Sequence, residues 1–227
     1  SYLHDTEKYP VKPKIIKTIE QFDDLMLKLK KANRVAIDTE GTSLNKLKNT
    51  LLTIQFCIDY DNTNGQNLFV LPVAHKETPW TGKEMRYIKN RLRKWLTSPS
   101  KNKWHIYQNA KYDLVVFINQ IDVQWFETEI YDIMAGVFSL DENTKYLKSI
   151  GVKGFTLETI ENRAGFTRPP ELTISKEDRG NMAAFSLKEI AEYGAYDVLT
   201  IYHLAREQQR AAKARGYPKF DNIIKHI

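Results

Sequence analysis

With 227 residues, 42% hydrophobic and 27% charged, the chain is long enough for one globular domain with a sizeable core, and its composition excludes a disordered or fibrous protein. A single cysteine, Cys57, excludes an internal disulfide, and the sequence holds no apolar run of signal-peptide or membrane-spanning type. The net charge of +6 favours a polyanionic partner without separating DNA, RNA and simple solubility.

Residues 1–14, with Pro10 and Pro13, read as an arm, and a chain that opens on Ser1 is expected of an excised or processed domain. Thr18 followed by Gln21 caps a predicted helix whose Phe22, Leu25, Met26 and Leu29 recur at helical spacing. Val35, Ala36 and Ile37 then predict a buried strand, and alternation sends Asp38 and Glu40 to one side as it emerges. Two like charges so close need either solvent or cations, so a strand end with solvated acids competes with a divalent-metal site.

Runs at 51–60 and 67–73 predict two further strands around a turn at 61–65, giving a meander that Pro72 ends. A cation-rich amphipathic helix follows over 81–96; its charge suits nucleic acid, although a solvated helix face is the commoner explanation. Residues 104–107 predict a fourth strand running into a helix over 109–117, where Asn109 and Asp113 share a face as a cap and a first-turn acid, or as site residues. Short helices are expected at 130–140 and 155–164, capped by Asp132 and Thr156, with Asp132 structural. After a polar connection, Ser186 and Glu189 form a capping box for a long helix that carries Tyr193 and Asp197 on one face. Cys57 and the five scattered histidines read as packing or surface groups. Strands flanked by helices predict an α/β sheet covered on both faces, with its site near the carboxyl ends of strands.

Asp38-Thr39-Glu40, Asn109-Ala110-Lys111-Tyr112-Asp113 and Tyr193-Gly194-Ala195-Tyr196-Asp197 resemble, in order, the three motifs of the DEDD 3'-5' exonucleases, in the subclass with a tyrosine in the third motif. The resemblance covers residues 15–209 and is closest to the proofreading domain of bacterial and phage family A DNA polymerases, whose secondary signatures look like residues 68–75, 108–113 and 131–134. Over 167–185 the similarity is loose, and no polymerase module follows in this chain.

The resemblance implies a ribonuclease H-like mixed sheet with helices on both faces. It also implies two divalent ions, Mg²⁺ or Mn²⁺, held by Asp38, Glu40, Asp113 and Asp197, with Tyr193 orienting the attacking water. By the same likeness Leu44 wedges against the terminal base and Asn109 positions the terminal nucleotide. Tyr112 and Phe138 are candidate stacking surfaces, although aromatic residues in helices more often pack in a core. Lys111, Lys145, Lys148 and Arg168 are candidate phosphate contacts.

A clustered set of hard carboxylate oxygens suits metal-assisted phosphodiester hydrolysis, in which two ions about 3.5–4 Å apart serve the attacking and departing oxygens. The expected organisation is an arm at 1–14, an exonuclease domain at 15–212 and a tail or linker at 213–227. The expected substrate is a single-stranded or frayed 3' DNA end, with a polymerase module in the same or a separate chain and no membrane. The expected compartment is the cytoplasm of a bacterial or phage-infected cell, or an organelle. An RNA-processing 3' exonuclease and a non-catalytic nucleic-acid-binding domain are the competing readings.

Overall fold

The computed structural model describes residues 11–43, 45, 47–59, 67–140, 156–163, 168–175 and 177–217, with the backbone alone at 100–102, 138, 162 and 163. Its elements are β1 (Lys14–Ile15), α1 (Ile19–Lys31), β2 (Arg34–Gly41), β3 (Leu51–Ile58), β4 (Leu68–Pro72), α2 (Gly82–Leu96), β5 (Ser100–Tyr107), α3 (Ala110–Ile121), β6 (Thr128–Asp132), α4 (Ile133–Leu140), α5 (Leu157–Arg163) and α6 (Leu187–Ala214). The strands form one mixed sheet in the order β1-β4-β3-β2-β5-β6. β2, β3 and β4 are the antiparallel meander, while β1, β5 and β6 join in parallel.

Alternation along β2 divides the core between two faces. Val35 and Ile37 pack with α1, α2 and α3 through Phe22, Leu25, Ile88, Leu92 and Phe117. Ala36 faces α6, where Ala195, Val198, Leu199 and Ile201 cover the other side. Every residue of β3 is buried, as expected for a central strand covered on both faces. α6 lies tight on this strand at Gly194, where a Cβ would fall 2.6 Å from the Gln55 side chain, so that helix position demands a glycine.

Several predicted caps form. The Thr18 hydroxyl accepts the Gln21 N–H at 3.2 Å, the Thr156 hydroxyl accepts that of Thr159 at 3.2 Å, and Ser186 and Glu189 close a reciprocal box. Asn109 does not cap α3 with its side chain; it adopts φ 60° and ψ 57°, and the Asp132 carboxylate instead accepts the N–H groups of Asn109 at 3.0 Å and Ala110 at 2.8 Å. Asp132 also accepts the Met134 N–H at 2.9 Å, so one structural acid starts two helices.

Other expectations shift. The helix expected from 130 begins at Ile133, because residues before it pair with β5 as β6. β1 begins at Lys14, pairing Lys14 with Phe69 and Ile15 with Val70, and Val11 and Ile16 are buried. At the other end α6 runs to Ala214, past the expected boundary at 212, and ends where Gly216 turns with φ 70°. The turn expected at 61–65 lies outside the described residues. Among the described residues no helix is long and apolar enough to cross a membrane.

Candidate active site

Asp38 and Glu40 leave the carboxyl-terminal part of β2 toward the α6 face, two residues apart and therefore on the same side of the strand. α6 brings Asp197 to meet them, buried at 6% exposure. Each of the three carboxylates offers an oxygen within 4.8 Å of the others. Thr39, between the two acids, points to the opposite face and donates its hydroxyl to Asp113 Oδ1 of α3 at 2.7 Å. Asp113 therefore comes from the other side of β2 and stands beside the trio, not within it.

Crowding these acids in a buried place has a physical cost. Burial first, then the charges of Glu40, Asp113 and Asp197, raises the Asp38 carboxyl well above its ordinary range. Glu40 is raised well above its range as well, by burial and then by Asp197 and Asp113, with Arg179 and Arg168 opposing. Burial pushes Asp113 up to about 7 against the pull of the Thr39 hydrogen bond. Hard oxygen donors held this close, and reluctant to ionise together, fit a divalent cation, which would favour their charged forms.

Tyr193 lies one turn before Asp197 on α6 and is 7% exposed. Burial, then the charges of Asp197 and Glu40, drives its phenol far above the ordinary value, so it stays protonated and suits positioning better than proton abstraction. Arg168 reaches into the same place, with Nη2 paired to Glu161 Oε1 at 2.8 Å and to Asp197 Oδ1. Its guanidinium lies 5.2 Å from the Tyr193 ring centroid and 4.7 Å from that of Tyr196. Arg179 sits 6.0 Å from the Tyr193 centroid. A cleft of about 360 Å³ opens over Asp197, Tyr193, Arg168, Arg179 and Glu161. A larger cleft of about 500 Å³, bordered by Lys30, Arg91, Lys94 and Lys103, lies instead at the amino-terminal end of β2, away from the acids.

Asp38, Glu40 and Asp197 thus come together, with Tyr193 one turn from Asp197 on α6 and Asp113 beside them through Thr39. Asn109 stands at the start of α3 in its left-handed conformation. Tyr112 is half-buried, and its hydroxyl donates to the Ser43 carbonyl at 3.0 Å and accepts from Asn49 Nδ2 at 3.2 Å, which ties the segment after β2 to α3. Lys111 is exposed. Leu44, Lys145, Lys148 and the Phe138 side chain lie outside what the structure describes. Sequence reasoning missed Thr39, Glu161 and Arg179 as neighbours of the site; only Thr39, between two of the acids, carried a local signal.

The profile of the 3'-5' exonuclease family matches residues 13–210. The chain belongs to that family, and its acids stand in the order of the DEDD motifs that it resembles. No curated protein matches it. Among solved structures it is similar to Escherichia coli RNase D, an exoribonuclease involved in structured RNA processing, with 16% identity, TM-score 0.62, and 92% of this chain and 48% of that one covered. The chain thus spans about half the length of that relative. It is also similar to the EXO domain of Aedes aegypti Nibbler (10% identity, TM-score 0.65, 99% and 98% covered). Brucella melitensis NrnC with bound Mg²⁺ is a third (17% identity, TM-score 0.56, 94% and 86% covered). At these identities the structural likeness speaks for the fold, which is of the ribonuclease H-like α/β type.

Proposed function

We propose that this nuclease removes nucleotides from a single-stranded or frayed 3' DNA end, releasing 5'-mononucleotides, and that it serves proofreading. The observation that carries the hydrolytic reading is the convergence of Asp38, Glu40 and Asp197 within 4.8 Å, beside a protonated Tyr193. DNA is favoured by the polymerase-type signatures at 68–75, 108–113 and 131–134.

In this reading Asp38, Glu40 and Asp197 would hold one divalent ion, Mg²⁺ or Mn²⁺, and Asp38 would help hold a second, which Asp113 would support mainly through water. Bound ions of this kind neutralise the phosphate, acidify water and stabilise the departing oxygen. The remaining work falls to the chain itself. The Tyr193 hydroxyl hydrogen-bonds the attacking water, and Asn109, Leu44, Tyr112 and Phe138 receive the terminal nucleotides. In this reading the exonuclease unit extends from Val11, which is buried, through α6, whose last buried residue is Ala212. A polymerase module in the same or a separate chain is the proposed partner, and the cytoplasm the proposed compartment.

The second reading is a 3' exoribonuclease, supported by the likeness to Escherichia coli RNase D, an exoribonuclease involved in structured RNA processing. Nothing in phosphate chemistry separates the two, because the 2'-hydroxyl has to be read elsewhere in the site. The test is a time course on 5'-labelled DNA and RNA of one sequence, with matched and mismatched 3' ends, in Mg²⁺, Mn²⁺ and chelator. Faster loss of mismatched DNA ends is expected, with silence in chelator. Equal rates on matched and mismatched DNA would remove proofreading, and faster digestion of RNA would install the second reading.

A further inference from the structure

Arg168 occupies a position that the hydrolytic reading does not use. One nitrogen, Nη2, serves two carboxylates, Glu161 and Asp197, while Nη1 reaches the Leu172 carbonyl at 3.4 Å. The guanidinium packs close to the Tyr193 and Tyr196 rings, so its direction is set by four side chains and a carbonyl. Glu161 is 1% exposed on α5 and lies outside the trio of acids. A buried carboxylate needs a partner, and its partner here is the same arginine that holds Asp197.

A divalent ion at Asp38, Glu40 and Asp197 needs an Asp197 oxygen, and it repels a guanidinium already bound to that oxygen. We infer that Arg168 is a resident counter-ion which neutralises Asp197 and competes with the divalent ion for it, while Glu161 retains the arginine when Asp197 is taken. This inference rests on the reading that Asp38, Glu40 and Asp197 form the metal site. Arg168 is then a positioning residue: it keeps the acid cluster from standing uncompensated, at the expense of metal affinity. Glu161 acts in the opposite sense, because weakening its hold leaves the arginine more fully committed to Asp197.

The two substitutions therefore have opposite signs. In calorimetric titration with Mn²⁺ and no nucleic acid, Arg168→Gln should bind the ion about tenfold or more tightly than the wild type, the size of a lost charge-assisted hydrogen bond. Arg168→Lys, which keeps the charge without the planar fork, should fall between them. Glu161→Gln should bind Mn²⁺ several-fold more weakly. If Arg168 only pins its segment against α6, removing it disorders the site, and Arg168→Gln, shown to be folded by circular dichroism, binds Mn²⁺ equally or less well. That result overturns the inference, as does tighter binding by Glu161→Gln. Should Arg168→Gln fail to fold, Arg168→Lys decides, with unchanged or weaker binding counting against the competition. Asp197→Asn separates the two levels: lost Mn²⁺ binding there with no gain in the Arg168 variants defeats only the arginine's role, whereas wild-type binding by Asp197→Asn defeats the metal site itself.

Discussion

Two ends of the same pair of strands bury ionisable groups with opposite results. Near the carboxyl end of β2, Asp38 and Glu40 meet Asp197, and burial with mutual repulsion holds the two strand carboxyls well above their ordinary range. Near its other end, where Val35 pairs with His105 of β5, the imidazole lies against Trp95 with ring centroids 4.3 Å apart, and burial drives it down to about 3. Desolvation acts on both by disfavouring charge. A lone imidazole satisfies it by staying neutral, and nothing further is required. Crowded carboxylates can take up charge there only beside a cation, either a neighbour such as Arg168 or a metal ion. The fold thus leaves charge unresolved where a ligand is to arrive and resolves it where only packing is at stake.

The largest effect expected on this comparison comes from deleting the acids. Asp38→Ala or Asp197→Ala should lower single-turnover cleavage by about 100-fold or more, since groups that hold a catalytic ion contribute several kcal/mol to the transition state. Full activity of either purified variant at low metal would remove the cluster from the chemistry. Tyr193→Phe should lower the same rate by roughly 10- to 1000-fold while leaving Mn²⁺ affinity unchanged, because only the hydroxyl that orients water is lost. A near-wild-type rate would make Tyr193 a packing residue.

pH separates the two ends without any substrate. Asp113, raised to about 7, binds a proton in the folded chain that the unfolded chain has released, so metal-free stability falls as pH rises from about 4 to about 7. His105 works the other way: the unfolded chain takes up a proton below about 6.5 that the folded chain refuses, so stability falls as pH drops from there toward about 3. The two oppose each other between about pH 4 and 6.5, so thermal midpoints in chelator are compared between variants: Asp113→Asn should lessen the fall toward higher pH, to which Asp38 and Glu40 also contribute, and His105→Phe the fall toward lower pH; unchanged profiles would refute the assignments. The smallest expected change is that of Thr39→Val, which keeps the shape but deprives Asp113 of its hydroxyl donor. It should cost about 1–2 kcal/mol of stability in denaturant unfolding, and no loss would mean that the bond contributes nothing net.

α6 is legible in the sequence because its box residues, apolar stripe and the Tyr193 to Asp197 spacing all lie within a few residues of one another. β6 was not, since its 128–132 stretch becomes a strand only by pairing with β5, and the apolar run into α4 does not mark the change. Asn109 misled for a similar reason: asparagine is a good cap by type, but the acid that caps α3 is Asp132, 23 residues away.

The sheet-and-helix class, the placement of Asp38 and Glu40 on one side of a strand, and the order of the acids can all be read from the chain, because alternation, helical spacing and capping are local. Which group neutralises which depends on packing across the fold. Thr39 meets Asp113 across 74 residues and Arg168 meets Asp197 across 29, and no local pattern encodes such pairs. They follow from how α3, α5 and α6 are laid on the sheet, where burial removes water and each charge must take the partner within reach.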